Sequence, residues 1–215
     1  MLELFGDPII ETIYMVFFSA LFSTILGLPL GILLVITEKG NIWEKPFFNQ
    51  ILNGIINVLR SIPFIILMLI VFPLAKLIVG TRIGTTATIV PLSIAAAPFV
   101  ARLIETSLRE VDRGVVESSL AMGASPYEIV TKVLLSESLP SIISGLTTAV
   151  INLIGYSAMA GAIGGGGLGD LAIRYGHYKY DYGVMYGAVI IIVILVQGVQ
   201  FIGNSLAVKV NKKSI

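Results

Sequence analysis

The stretch ESSLAMGASPYEIVTKVLLSESLP, residues 117–140, is polar and carries helix-capping signals, whereas the segments on either side of it are almost entirely apolar. Gly123 interrupts it, and glycine is favoured just past the end of a helix. Ser125 then matches an N-cap, Pro126 the first helical residue and Glu128 the third, which together form a capping box with a preset first turn. We therefore predict two short helices that meet at a glycine bend.

The composition is that of an integral membrane protein. The chain has 215 residues, of which 56% are hydrophobic and 13% charged, whereas soluble domains carry about 25% charged residues. We predict an all-α protein with a single domain over residues 1–215. The absence of cysteine excludes disulfides and thiolate metal sites, and no basic cluster points to nucleic acid. The first eleven residues contain no Lys or Arg, so no cleavable signal peptide is predicted.

Five segments are long and apolar enough to cross a membrane as helices, which takes about 20 residues. Four of them contain no charged residue, and the other is interrupted only by Arg60. The predicted spans are residues 12–37, 46–75, 83–101, 138–169 and 182–208.

Lysine and arginine are unevenly divided between the segments that join these spans. Nine lie on one side and four on the other, with Arg60 left uncounted. Because positive residues favour the cytoplasmic side, we predict the N-terminus outside and the C-terminus inside. The inside segments are then residues 38–50, 102–137 and 209–215, and the outside segments are 1–11, 76–82 and 170–181.

The predicted inner loop contains the two short helices over about residues 112–137. Asp112 is the expected N-cap of the first. The second has an apolar stripe, which consists of Ile129, Val130, Val133 and Leu134. Upstream, Arg102, Glu105 and Arg109 share one helix face, with Glu105 and Arg109 in the favourable i,i+4 order. The third span is therefore expected to continue out of the membrane as a stalk.

Pairs of small residues four apart occur in three of the spans. Such pairs let helices approach closely in lipid. We expect them to pack helices within one bundle, and self-association is the alternative. The pairs are Gly27 with Gly31, Ser157 with Gly161, and Gly183 with Gly187.

The glycine-rich stretch GGGGLG, residues 164–169, formally matches a dinucleotide-binding fingerprint. It follows a long apolar helix rather than a strand, no helix is expected to open on it, and Asp170 stands where a phosphate-binding loop has lysine. Since glycine is conformationally permissive, we predict an unwound or sharply turned end of the fourth span. His177 is the only histidine and lies in a polar loop, so no metal site is predicted.

Five tyrosines crowd the predicted outer loop that follows. We interpret them as an aromatic belt at the membrane interface, with docking of an outside protein as the alternative. They are Tyr175, Tyr178, Tyr180, Tyr182 and Tyr186.

None of the predicted spans contains Asp or Glu. Carriers driven by protons or sodium generally keep acidic residues at membrane depth, which argues against transport powered by this chain alone. The sequence also offers no Ser-His-Asp or paired-carboxylate arrangement, so we predict no catalytic residues and no enzyme.

The inner loop resembles the signature of ATP-binding-cassette importer permeases, with serines in place of the usual two alanines after Glu117. Five further segments are similar to the methionine permease subfamily, and the similarity extends over nearly all of the chain. These segments are RSIPFIIL (60–67), IVPLSIAAAPFVAR (89–102), AMGASP (121–126), KVLLSESLP (132–140) and GYSAMAGAIGGGGLG (155–169).

This resemblance implies a permease in the bacterial cell membrane that imports methionine, in D- or L-form, as a pair of identical copies. Two separate ATP-binding subunits would hydrolyse ATP, so this chain binds no cofactor, and a substrate-binding lipoprotein would deliver the substrate from outside. A same-fold permease for another small solute and a membrane scaffold without transport are the alternatives. The implied ATPase contacts are Glu117, Ser118, Ser119, Ala121, Met122, Gly123, Ala124, Ser125, Pro126 and Glu128.

The fourth span also suggests a substrate pathway. In a symmetric dimer one span of each copy can face the axis, and we predict that Tyr156, Ser157 and Met159 line the gate, with Met159 as a flexible apolar plug. Ser61 and Phe64, on either side of the Ile62–Pro63 dipeptide, are second candidates on the opposite wall. Ordinary packing within the bundle is the alternative.

Overall fold

The computed structural model describes residues 2–81 and 83–211, and this part of the chain is helical without strands. The predicted all-α class is confirmed. Arg82, Lys212 and Lys213, three of the charges counted for orientation, lie outside the described residues. The helices are α1 (Leu2–Ile36), α2 (Pro46–Ser61), α3 (Phe64–Val79), α4 (Thr85–Arg109), α5 (Arg113–Ala121), α6 (Pro126–Gly161), α7 (Gly167–Ile173) and α8 (Tyr182–Val210).

Four of these helices, α1, α4, α6 and α8, are each long and apolar enough to cross a membrane. The pair of α2 and α3 makes a fifth span if it is counted as one, although its two helices are bent by 106°. The five predicted spans are all present as helices, but the second is broken rather than continuous. Which end of the chain lies outside remains a prediction.

The break between α2 and α3 follows from Pro63. Proline has no N–H, so it cannot pair with the carbonyl of Leu59, four residues earlier. The residue before it, Ile62, has extended backbone (φ −77°, ψ 128°), as a proline requires of its predecessor. Before the break, the Ser61 hydroxyl donates to the Asn57 carbonyl (2.8 Å). The chain therefore turns inside the predicted second span.

The most extensive helix packing among the described residues joins α1 and α4. A Cβ added at Gly27 would lie 2.8 Å from Val100, and one added at Gly31 would lie 2.7 Å from Ile104 and from the Ala101 carbonyl. Since Gly27 faces Val100 and Gly31 faces Ile104, the two helices run in the same direction. The first small-residue pair therefore packs inside the bundle, as predicted.

The other small pairs also lie against other parts of the same chain. Gly161 faces the backbone of Gly169 and Asp170, and Gly187 faces the Phe5 ring, which would be 2.8 Å from an added Cβ. Ser157 is buried (2% exposed). These contacts account for Ser157, Gly161 and Gly187 within a single copy, whereas Gly183 is exposed.

The glycine-rich stretch is a sharp turn, as predicted, but two details differ. The fourth span ends at Gly161 rather than at residue 169, and the short helix α7 opens on Gly167, where no helix was expected. Gly167 has a φ of +78°, which side chains rarely adopt. The turn is fixed to α1 by two hydrogen bonds: the Gly167 N–H donates to the Glu11 carboxylate (2.6 Å) and the Leu168 N–H to the Thr12 hydroxyl (2.9 Å).

We expect Gly31→Val to destabilise the protein, because the added atoms meet the Ala101 carbonyl and force α1 away from α4. Overpacking of this kind costs about 1–3 kcal/mol. Heating the purified protein in detergent and measuring the folded fraction by size exclusion should show a lower midpoint. Gly198→Val is the matched control, since nothing lies within 4 Å of its Cβ. Equal midpoints for the two variants would contradict the packing role of Gly31.

The predicted orientation can be tested with single cysteines, because the chain has none of its own. A membrane-impermeant thiol reagent on whole cells should label Asp7→Cys and spare Tyr127→Cys until the cells are opened. Both positions are exposed in this chain, so burial within it does not limit access to either. Labelling of position 127 without position 7 would reverse the orientation.

Candidate functional site

The polar stretch 117–140 forms a bent element that we call the elbow, consisting of α5 and the first turns of α6. Asp112 is the N-cap of α5, as predicted, and its carboxylate accepts from the Gly114 N–H at 2.6 Å. The helix ends at Ala121. The first of the two predicted short helices is therefore confirmed with its cap.

Gly123 makes the bend. Its φ is +84°, its N–H donates to the Leu120 carbonyl (2.9 Å), and the next N–H, of Ala124, reaches back to the Ser119 carbonyl (3.0 Å). This pair of bonds is a Schellman motif. Nothing lies within 4 Å of a Cβ built at Gly123, so the site requires glycine for its backbone conformation rather than for space.

The predicted capping box begins the next helix. The Glu128 N–H donates to the Ser125 hydroxyl (3.4 Å), and the Ser125 N–H donates to the Glu128 carboxylate (3.1 Å). Lys132 donates to the same carboxylate at 2.9 Å. The hydrogen bond from Lys132, together with those from Ser125, lowers the pKa of Glu128 to about 2.

The second predicted short helix is not a separate element. Pro126–Glu128 continues through a π-helical stretch, Ile129–Leu134, into the fourth span, and the whole of α6 runs from Pro126 to Gly161. The helix contains Gly145 and Gly155, but its backbone stays helical from the cap to Gly161. The elbow is therefore one short helix joined at Gly123 to the extended end of a membrane span.

The apolar stripe after the cap attaches the elbow to the bundle. Ile129 is fully buried and Leu134 is 4% exposed, and both belong to a cluster that includes Ile36 of α1 and Ile104 and Leu108 of α4. The elbow thus lies at the C-terminal ends of α1 and α4. The glycine turn with Glu11 lies at their N-terminal ends, on the opposite side of the bundle.

Charged side chains tie three helices together beside this attachment. Glu105 is 5% exposed and pairs with both Arg102 and Arg109, the latter at 2.9 Å, as the shared helix face predicted. Arg109 also pairs with Glu38 after α1 at 2.8 Å, and Arg102 donates to Asn57 of α2 at 2.7 Å. The last two partners were missed, because nothing in the local spacing indicates a contact between residues so far apart in sequence.

The residues predicted to contact the ATP-binding subunits differ in how exposed they are. Ser119 is buried and its hydroxyl donates to the Val115 carbonyl (2.8 Å), while Ala124 and Glu128 are half-buried. The others are exposed, with Met122 at 81%. Tyr127, 76% exposed, lies among these residues and belongs to the same surface. The exposed predicted residues are Glu117, Ser118, Ala121, Met122, Gly123, Ser125 and Pro126.

Three of the predicted pathway residues lie together at the break in the second span. Ser61, Phe64 and Tyr156 line a cavity of about 370 Å³, and the rings of Phe64 and Tyr156 stack with centroids 3.7 Å apart. Met159 is half exposed and lies one turn beyond Tyr156. Ser157 points into the protomer, where its hydroxyl donates to the Ile154 carbonyl at 2.7 Å.

Of the five tyrosines in and beside the predicted outer loop, one is packed and four are exposed. Tyr175 is packed against the cluster around Leu171 and Val184, and Lys179 lies 4.3 Å above its ring. The other four are each more than half exposed. Both alternatives for these rings, membrane interface and protein docking, stay open.

A bundle of four or five apolar helices with a polar elbow packed against one end is the architecture of a multi-span membrane protein. Residues 27–214 match the family described as the binding-protein-dependent transport system inner membrane component. The chain belongs to this family of membrane proteins.

The relatives are similar over nearly their whole length. A probable D-methionine transport system permease protein of Vibrio cholerae is 49% identical over 203 residues, which cover 94% of this chain and 90% of that protein. The methionine import system permease protein of Bacillus subtilis is 43% identical over 203 residues, which cover 94% of this chain and 91% of that protein. A chain in an inward-facing structure of the MetNI methionine ABC transporter is 44% identical, with a TM-score of 0.96 and coverage of 99% and 98%.

We expect Gly123→Val to leave the protein in the membrane in normal amount but to abolish its association with an ATP-binding subunit. A side chain at positive φ costs about 1–2 kcal/mol, and a β-branched residue tolerates this conformation least. Co-purification and uptake measure the two effects. Gly123→Asn should be milder, because asparagine adopts the left-handed region more readily.

Gly198→Val again serves as the control for adding the same side chain to the same protein. The coupling role of Gly123 would be refuted by normal uptake in the valine variant. It would equally be refuted if that variant failed to accumulate, since the glycine would then serve folding.

Proposed function

We propose that this chain is the membrane-spanning permease subunit of an ATP-driven importer of methionine. The observation that carries the proposal is the near full-length identity of 43–49% to permeases named for methionine transport. The chain's backbone also follows that of a methionine transporter chain with a TM-score of 0.96. The cavity at the broken span supplies a place for a small solute.

The energy for transport would come from outside this chain. The five spans predicted from the sequence contain no acidic residue for ion coupling, and the elbow presents an exposed surface that includes Met122 and Tyr127. We propose that two copies of the chain pair with each other and that each elbow docks on one of two ATP-binding subunits. A substrate-binding lipoprotein would deliver methionine at the opposite side.

The attachment of the elbow to α1 and α4 provides the route by which the ATP-binding subunits would move the membrane helices. Closure of the ATP-binding subunits would draw the two elbows together. Because Ile129 is packed against α1 and α4, the elbow cannot move without these helices. Rigid-body rocking of packed helices about an interface is an established kind of switching motion. Tyr156 and Met159 of α6, with Ser61 and Phe64 on the other wall, would open and close the pathway.

The substrate is tested by reconstitution. The permease, with its ATP-binding subunit and binding protein, is placed in proteoliposomes, and ATP-dependent uptake of L-methionine, D-methionine and histidine is measured. We expect uptake of at least one form of methionine and none of histidine. Uptake of another solute in preference to methionine would favour the same-fold alternative, and no uptake or ATPase stimulation by any solute would favour a scaffold.

The docking surface is tested by Tyr127→Ala. An exposed aromatic residue at the centre of an interface contributes about 2 kcal/mol or more, so we expect at least a tenfold weaker affinity for the ATP-binding subunit and a matching loss of uptake. Tyr180→Ala is the matched control, because Tyr180 is equally exposed (72%) but lies at the other end of the bundle. Equal affinity of the two variants for the ATP-binding subunit would exclude Tyr127 from the interface.

A further inference from the structure

Arg60 is the only charged residue between Lys45 and Lys76. It lies in the last turn of α2, immediately before the break, and lines the cavity at that break together with Ala95 and Phe99. These two residues lie in the middle turns of α4. The structure thus places an arginine beside an open cavity at the break in the second span.

The guanidinium of Arg60 has no hydrogen-bond or carboxylate partner among the described residues, whereas Arg102 and Arg109 both pair with Glu105. Asp and Glu are absent between Glu44 and Glu105 and from residues 138–169 and 182–208. An ionisable residue inside a membrane protein is costly and usually marks a substrate or ion pathway.

The remaining walls of the cavity suit an apolar side chain. The stacked rings of Phe64 and Tyr156, and the ring of Phe99, form an aromatic surface beside the arginine. A thioether makes favourable contacts with aromatic rings. The volume of about 370 Å³ lies in the range of small-molecule sites. One fixed positive charge next to an aromatic wall is complementary to an amino acid with a free carboxylate and an apolar side chain.

We propose that Arg60 binds the α-carboxylate of the amino-acid substrate within the membrane pathway, with the substrate's side chain against Phe64 and Tyr156. This inference rests on the proposed function and adds a substrate site inside the permease itself. A guanidinium holds a carboxylate through two parallel charge-assisted hydrogen bonds. The site therefore selects for an intact carboxylate.

The first test measures binding to the wild-type complex of permease and ATP-binding subunit, purified without any binding protein. Radiolabelled L-methionine is the probe, and unlabelled L-methionine and methioninol, in which a hydroxyl replaces the carboxylate, are the competitors. We expect methioninol to compete about tenfold or more weakly, as loss of a charge-assisted pair requires. Equal competition by the two compounds, or no binding of methionine, would overturn the proposal.

The second test uses variants of the same complex. Arg60→Gln should weaken methionine binding about tenfold or more, whereas Arg60→Lys should retain part of the affinity and the preference over methioninol. Lys76→Gln, which removes the next cation along the chain, should bind as the wild type does. Unchanged binding by Arg60→Gln would overturn the proposal. If the Arg60→Gln complex does not assemble, equal competition by methionine and methioninol in the Arg60→Lys complex would overturn the proposal.

Uptake in proteoliposomes separates this inference from the proposed function. Failure of the wild-type protein to take up methionine would refute the proposed function. Wild-type uptake together with an unchanged KM in Arg60→Gln would refute only the role of Arg60. A raised KM for methionine in Arg60→Gln, with a smaller rise in Arg60→Lys, is the result that we expect.

Discussion

The buried carboxylate of Glu105 is the constraint on which the inner half of this protein depends. A buried charge is stable only if it is paired and hydrogen-bonded, and removal of one partner costs about 3–5 kcal/mol. Glu105 meets this requirement with Arg102 and Arg109. Arg109 reaches the chain after α1 through Glu38, and Arg102 reaches α2 through Asn57. The pairing therefore links α4 to the segment that follows α1 and to α2.

The same pairing connects the elbow to the cavity. Leu108 of α4 packs in the cluster that holds the elbow residue Ile129. One turn back along α4, Glu105 holds Arg102, and Arg102 holds Asn57, which is three residues before Arg60. A series of direct contacts thus joins the elbow to the broken span. Gly123 sets the direction of α5 relative to α6, because its left-handed backbone joins two capped helices.

Local signals in the sequence were sufficient for the elbow. Asp112, Gly123 and the Ser125–Glu128 box act within a few residues, so their roles follow from backbone chemistry that any helix end obeys. The sequence could not show that α6 runs unbroken from its cap into the membrane, because an apolar stripe is equally compatible with a short helix. Nor could the sequence place Arg60. Its position depends on a 106° bend between α2 and α3, two helices that composition alone joins into one span. Partners distant in sequence, such as Glu38 and Glu11, carry no local signature.

The elbow keeps its shape over the pH range in which cells live. Because hydrogen bonds lower the pKa of Glu128 to about 2, its contribution to stability is complete above the ordinary carboxyl value and is lost only as the pH falls towards 2. The capping box is therefore ionised and intact near neutrality. Gly123 holds its conformation without any titratable group. In the proposed transport cycle, the quantity that varies is consequently the position of the elbow relative to its ATP-binding partner, while its fold stays constant.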